Sequence, residues 1–275
     1  MKCETMMKCA VAAVCLSLAT IGAAEGVDKP AGDVPQWRGL KVAILGDSIS
    51  DKNQKNHLYW QYLGEWLGWD VKCYGISGNA WCHIPAQTDR MIAEMGDEVD
   101  AILIFIGTND YAGGKKLGDW YVEKEGSVNW WGQDRTLKHR EISLDPGTVR
   151  GTANAALLKL KKRYPKTQIV LLTPTKRAFF QCSPTNVQPA EDWPTTIGLH
   201  LEDYAAVTVE AGRIWSCPVI DLGGECGLTP LLKDEYAPFF NSKERDLLHP
   251  NTEGHRRMAK AILYRLNALP GTFRK

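Results

Sequence analysis

Four short stretches carry side chains that could act together. Gly46-Asp47-Ser48-Ile49-Ser50 places a serine just after a short apolar run, Leu40 to Leu45. A serine at the end of a buried strand, where a turn or helix begins, has its hydroxyl held at one edge of a sheet. A helix N-terminus beside it favours developing negative charge. The chemistry this suits is nucleophilic attack with charge build-up on an oxygen. Gly75-Ile76-Ser77-Gly78-Asn79 follows the next apolar stretch. A glycine there tolerates φ > 0 and leaves a backbone N–H unobstructed, which suits donation to an oxyanion. Gly107-Thr108-Asn109-Asp110 follows the strongest strand signal, Val99 to Ile106, and an asparagine amide at a strand's end can donate in the same way. Asp246-Leu247-Leu248-His249-Pro250 precedes the last helical pattern. An aspartate three residues ahead of a histidine can reach the imidazole across a tight turn. It would fix the tautomer and leave the other ring nitrogen free to take a serine proton. Each stretch alone has an ordinary reading: a turn or N-cap for Gly-Asp-Ser, a simple turn for the glycines, an Asx-turn for Asn109, a surface acid and a capping histidine for the last.

Placement removes the ambiguity. Apolar runs predict strands over 40–45, 71–74, 99–106, 168–172 and 218–222. Apolar residues at helical spacing predict helices over 59–67, 84–95, 148–164, 199–215 and 252–269. Asp145-Pro146 is a start signal for the third helix. Strands separated by helices imply βαβ units, a parallel sheet and right-handed crossovers. The expected fold class is α/β: a doubly wound three-layer α/β/α sandwich of about five parallel strands, with chemistry at their carboxyl ends. Two polar-aromatic stretches, 111–147 and 176–198, follow strands and are expected as long loops on the active face. All four motifs fall after predicted strands or in the loop ahead of the closing helix. They therefore converge on one sheet edge, as a nucleophile, base, orienter and oxyanion donors must.

In this order the motifs resemble those of the SGNH (GDSL) hydrolase family. Gly46-Asp47-Ser48 is similar to its nucleophile block, Gly78 to the glycine of the second block, Gly107-Thr108-Asn109-Asp110 to the third, and Asp246-Leu247-Leu248-His249 to the last. The similarity runs from Lys41 to His255, and Ile49-Ser50 stands where many members differ. The resemblance implies an esterase or acylhydrolase with a flavodoxin-like sheet order. It implies Ser48 as nucleophile, His249 as base, Asp246 as its partner, and an oxyanion hole from the Ser48 N–H, the Gly78 N–H and the Asn109 side chain. It implies neither metal nor organic cofactor.

The 275 residues, 44% hydrophobic and 24% charged, suit one large α/β domain, expected over 39–275, and exclude disordered and fibrous classes. A net charge of +1 gives no footing for nucleic acid as a partner. Lys2 and Lys8 precede the apolar run Cys9 to Ile21, and Gly22-Ala23-Ala24 follows. This reads as a signal peptide over 1–24, cleaved after Ala24. The run is short for a membrane span, so an exported protein, periplasmic or extracellular, without stable membrane insertion is expected; an uncleaved anchor is the alternative. Losing Lys2, Lys8 and Glu4 leaves the mature chain neutral. The leader 25–38, with Pro30, Gly32 and Pro35, is expected to lack regular structure. Cys73, Cys82, Cys182, Cys217 and Cys226 remain. Export permits disulfides, but the cysteines read as mostly buried thiols with at most one or two bridges, and no Cys/His spacing suits zinc.

Aromatic residues crowd the expected loops: Trp81 and His83 after the Gly78 turn, Trp120, Tyr121, Trp130 and Trp131 after the third strand, Phe179, Phe180 and Trp193 after the fourth. Trp81, His83, Trp130, Trp131 and Phe179 are the candidate substrate contacts. Aromatic faces suit sugars, so an O-acetylated carbohydrate is the leading substrate, small molecule or polysaccharide; each aromatic also fits plain loop packing. A lipase or thioesterase acting on fatty acyl esters would want a continuous aliphatic groove. A non-catalytic glycan-binding module would not need Ser48, Asn109, Asp246 and His249 together.

Overall fold

A computed structural model describes residues 34–274. The signal-peptide segment and most of the leader lie outside the described residues. The leader's last residues differ from expectation: Pro35–Trp37 form a single 3-10 turn, and the Trp37 ring is fully buried.

In chain order, β1 (Lys41–Gly46) leads to α1 (Tyr59–Leu67), β2 (Asp70–Cys73), α2 (Ile84–Met95), β3 (Ala101–Phe105) and α3 (Thr108–Ala112). The strands β4 (Tyr121–Trp130) and β5 (Gln133–Ile142) follow, then α4 (Val149–Arg163), β6 (Gln168–Leu172), β7 (Phe180–Gln181) and β8 (Val187–Gln188). The chain closes with α5 (Leu201–Trp215), β9 (Val219–Ile220), α6 (Leu222–Glu225), α7 (Lys233–Tyr236), β10 (Phe240–Ser242), β11 (Asp246–Pro250) and α8 (Thr252–Leu266).

The main sheet is parallel, in the order β2-β1-β3-β6-β9, the doubly wound arrangement expected. Beyond the leading Lys41 and Gln168, its central strands are apolar because both faces are covered. Alternate residues enter two separate cores. Val42, Ile44, Leu103, Phe105, Val170 and Leu172 face α1 and α8. Ala43, Leu45, Ile102, Ile104, Ile169 and Leu171 face α2, α4 and α5. Helix starts follow local chemistry: the Thr148 hydroxyl accepts the Gly151 N–H, and the Asn251 carboxamide accepts the Glu253 and Gly254 N–H groups.

Two expectations are corrected. The 111–147 stretch is not a loop: β4 and β5 pair in register over their full length as a hairpin. Its two-residue turn, Trp131-Gly132, has φ of 54° and 79°, both left-handed. Such turns ordinarily announce themselves as Asn-Gly, and the tryptophan hides this one. Both faces of the ribbon also meet solvent, so no buried period marks its strands. The 176–198 stretch likewise contains β7 and β8. These join β10 and β11 in a second, four-stranded sheet, β10-β11-β7-β8.

Gly254, in the first turn of α8, abuts the Phe239 carbonyl and the Pro250 ring, leaving no room for a Cβ. Gly254→Ala must push α8 away from β11. A loss of about 1–3 kcal/mol is expected, measured as a lower urea midpoint with an unchanged slope.

Candidate active site

Ser48 sits two residues beyond the end of β1. A Cβ at Gly46 would collide with the Phe105 carbonyl and the Ser50 side chain, so only glycine lets β1 run this close to β3. The turn after it is closed by Ile49 N–H to Asp47 Oδ1 (3.0 Å) and Ser50 N–H to the Asp47 carbonyl (3.1 Å). Asp51 then fastens this turn to the next loop: its Oδ2 accepts from the Ser77 N–H at 2.9 Å and the Ser77 hydroxyl at 2.8 Å. Burial raises the Asp51 carboxyl, but the hydrogen bonds from Asn53 and Ser77 outweigh it and hold it below its ordinary value.

The Ser48 hydroxyl lies 2.9 Å from His249 Nε2, across 201 positions of sequence. On the other side of the ring, Nδ1 is 3.0 Å and 3.1 Å from the two Asp246 oxygens. Asp246 also accepts the His249 N–H (2.9 Å), the Leu248 N–H (3.2 Å) and the Asn241 side-chain amide (3.2 Å). Burial pushes the Asp246 carboxyl up, but the His249 and Asn241 hydrogen bonds and the His249 charge outweigh it, leaving it below the usual carboxylate range. A carboxylate so fixed orients the imidazole and stabilises its protonated form.

The Asp246–His249 geometry is built differently from the tight turn expected. Both residues belong to β11, and in a regular strand residues three apart face opposite sides. Here the pairing of Phe240 with Pro250 and of Ser242 with Asp246 leaves two extra residues on β11, a bulge. The bulge re-aims the side chains, so the carboxylate reaches the ring. Phe180, opposite Asp246 on β7, packs its ring edge-to-face on the imidazole at 4.9 Å.

Gly78, with φ of +81°, and Asn109, in the first turn of α3, line the same cleft as Ser48 and His249. The Asn109 amide donates to the Asn79 carbonyl at 2.8 Å, which fixes its plane. The cleft, about 350 Å³, is walled largely by Gln54, Ser77, Asn186 and Gln188, with Phe180 and Leu248 as its apolar contributions.

The five main candidates, Ser48, Gly78, Asn109, Asp246 and His249, therefore meet at the carboxyl edge of the sheet. The aromatic candidates do not. Trp81 is fully buried in the core under α2 and α4. His83 is exposed, and its Nδ1 accepts the Ala80 N–H. Trp130 and Trp131 sit at the hairpin tip, 52% and 95% exposed. Phe179 faces solvent while Phe180 faces the cleft, one step of strand alternation away.

A match to the family model for GDSL-like lipases/acylhydrolases runs over residues 44–257, most of the chain. The protein belongs to the GDSL-like lipase/acylhydrolase family. Its fold is shared by a solved structure from Lactobacillus plantarum, with a TM-score of 0.62, 21% identity, and coverage of 84% of this chain and 98% of that one. A "possible lipase" from Chitinophaga pinensis gives 0.59 and 22%, over 82% of this chain and 96% of its own. At these identities the likeness is one of fold. No curated protein matches the chain.

This GDSL-like acylhydrolase holds polar groups beneath its cleft that the motifs do not announce. Asp47 is 1% exposed, and burial lifts its carboxyl to about 7, with Asp110 nearby adding to the rise. Burial lifts Asp110 to about 6. The Arg177 guanidinium, wholly buried, donates to Thr108 and Gln188 and stacks over Tyr111; burial lowers it to about 10. Gln87, on α2, binds Gly46 and Asn79. Of these, Gln87 had a readable signal: it occupies a core position in the stripe Ile84, Gln87, Thr88, Met91, where a polar residue must have a buried partner.

Among the described residues, Cys73, Cys82, Cys182, Cys217 and Cys226 are all free. Cys217 and Cys226 are buried, but Cys182 is exposed at the cleft rim, against the expectation of mostly buried thiols.

The raised Asp47 value fixes a pH dependence. Its neutral form is favoured in the fold, so its contribution is fully present below its unfolded value near 3.9 and is lost as pH rises through about 7. Asp47→Asn removes that titration. The variant should gain stability relative to wild type between pH 4 and pH 7.5, on the order of a few kcal/mol, read from urea unfolding at each pH.

Proposed function

We propose that the protein is an exported serine esterase that hydrolyses carboxylic esters through an acyl-enzyme, with the O-acetyl groups of a carbohydrate as its substrate. The observation that carries the reading is the 2.9 Å approach of Ser48 Oγ to His249 Nε2, with the Asp246 carboxylate on the ring's other nitrogen. In this reading Asp246 holds the tautomer in which Nε2 is the acceptor. His249 takes the Ser48 proton as Oγ attacks the ester carbonyl. The resulting oxyanion is met by the Ser48 N–H, the Gly78 N–H and the Asn109 amide. Collapse expels the alcohol, which takes its proton from His249. Water, deprotonated by His249, then attacks the acyl-enzyme; the acid departs and Ser48 recovers its proton.

The lining of the cleft supports this substrate class. Amide and hydroxyl side chains on Gln54, Ser77, Asn186 and Gln188 suit an alcohol rich in hydroxyls. Phe180 and Leu248 offer room for a short acyl group but make no aliphatic groove. Export rests on the basic, apolar, small-residue order of residues 1–24.

Turnover of p-nitrophenyl acetate should fall by about 10³-fold or more in Ser48→Ala, and by about 10²- to 10⁴-fold in Asp246→Asn. Acetyl esters should be turned over faster than long-chain esters, and acetate should be released from acetylated polysaccharides. Full activity in Ser48→Ala would end the serine mechanism. A long-chain preference would replace the carbohydrate by a lipid.

A further inference from the structure

The parallel ladder between β1 and the chain leaving β2 is interrupted at one residue. Tyr74 N–H bonds to the Ile44 carbonyl at 2.8 Å, and Ile76 N–H to the Gly46 carbonyl at 3.2 Å. A continuous ladder would send the Gly46 N–H to the Tyr74 carbonyl between them. That carbonyl instead accepts from Arg90 Nη2 at 2.7 Å, and the Gly46 N–H donates to Gln87 Oε1 at 2.9 Å. Gln87 Nε2 returns a bond to the Gly46 carbonyl at 2.7 Å. The carboxamide thus pairs with Gly46 through both its donor and its acceptor, as a directly opposed residue of an antiparallel strand would.

Gln87 Nε2 also donates to Asn79 Oδ1 at 2.8 Å, and the Asn79 carbonyl accepts the Asn109 amide at 2.8 Å. The Asn79 N–H closes on the Ile76 carbonyl at 3.1 Å, so the turn bearing Gly78 is held at both ends. One buried side chain, 1% exposed, therefore links three loops: the one carrying Ser48, the one carrying Gly78 and, through Asn79, the one carrying Asn109. Because the carboxamide is rigid and its donor and acceptor are all engaged, it sets the spacing between them.

We infer that Gln87 is a positioning residue for the oxyanion hole, acting through Gly46 and Asn79 on the donors of Ser48, Gly78 and Asn109. The inference rests on the serine-esterase reading of those donors. An oxyanion donor works only when aimed where charge develops, and losing one costs about 10²–10³ in turnover. A donor set loosened rather than removed should lose about tenfold or more.

The test uses the full chain with Gln87→Met, which fills the space without hydrogen bonds, and Asn79→Ala, which cuts the same relay at a half-buried position. Both should lower kcat about tenfold or more with KM within about threefold. Affinity for an arylboronic acid, whose tetrahedral adduct on Ser48 mimics the oxyanion state, should fall in step. The pH of half-maximal kcat/KM should stay in place, because His249 and Asp246 are untouched. The double variant should be no worse than the poorer single one, since the two act in series. Wild-type kcat in a folded Gln87→Met, a loss carried by KM alone, or additive losses would each overturn the inference. If Gln87→Met does not fold, Asn79→Ala decides it by the same measurements. Ser48-dependent turnover in wild type, measured alongside, keeps the two readings apart: with it present, unimpaired relay variants sink only the role of Gln87.

Discussion

The site exists because β1 lies between β2 and β3 in the sheet. In a parallel sheet every strand points the same way, so successive loops end on the same edge. Neighbouring loops converge only where the winding reverses direction. Here the reversal falls at β1, and the loops after β1, β2 and β3 close around one point. Those loops carry Ser48, Gly78 and Asn109. The sheet itself is held by two cores, each fed by alternate residues of the same strands. A shift of one residue in β1 would exchange the two sets and turn every apolar side chain to the wrong layer. The position of Ser48 is therefore set by packing some distance from the chemistry.

The histidine arrives by another route. β11 belongs to the small antiparallel sheet, anchored by Asp246 opposite Phe180 and by the exchange of bonds between Leu247, Ala178 and Phe179. Its bulge brings carboxylate and imidazole together on one side. The two halves of the site thus have separate scaffolds, and the polar layer beneath them joins the two. Arg177 reaches Thr108, beside Asn109, and Gln188, in the cleft wall, while its backbone segment pairs with β11. Its charge also lies near Asp47 and Asp246. Buried polar groups of this kind are costly unless fully bonded. Two here are incompletely bonded: Arg177 Nε and Asp110 Oδ1 lack hydrogen-bond partners. Such a layer ties the site's geometry to the fold at some expense of stability.

What was legible in the sequence follows the same division. Strands covered on both faces read as apolar runs, and helices with one buried face read by their period, so the sheet, its flanking helices and the four motifs could be placed from residues alone. The β11 bulge could not, since nothing in Asp246-Leu247-Leu248-His249 distinguishes a bulged strand from a tight turn. The aromatic rim misled because tryptophan packs cores as readily as it lines clefts: Trp81 went inside. Phe179 and Phe180 are adjacent and chemically equal, and only the register of β7 against β11 decides which one faces the imidazole. Gln87 was visible as a polar residue in an apolar helical stripe, but its partners lie forty-one and eight positions away, and only folding brings them together.

The hairpin shows how little of the site depends on what projects from it. Opposed residues share a face, so one side of the ribbon carries Val122, Val128, Trp130 and Leu137 while the other sets Glu123 against Arg140 and Glu125 against Lys138. The four apolar residues are each 42–52% exposed, so they contribute little burial. A two-stranded ribbon without a packed face is marginal in water, and Trp131 in left-handed backbone adds about 1–2 kcal/mol of cost. At its base, however, the chain is closed off. Ser143 N–H bonds to the Trp120 carbonyl, Asn154 holds both Trp120 and Ser143, and the Trp120 indole donates to Glu210. Opening the ribbon would give up only the half-covered surface of these residues and leave those bonds intact. Its strands should therefore open locally at a free energy well below that of the sheet, while Ser48, Asn109 and His249 stay where the two scaffolds put them.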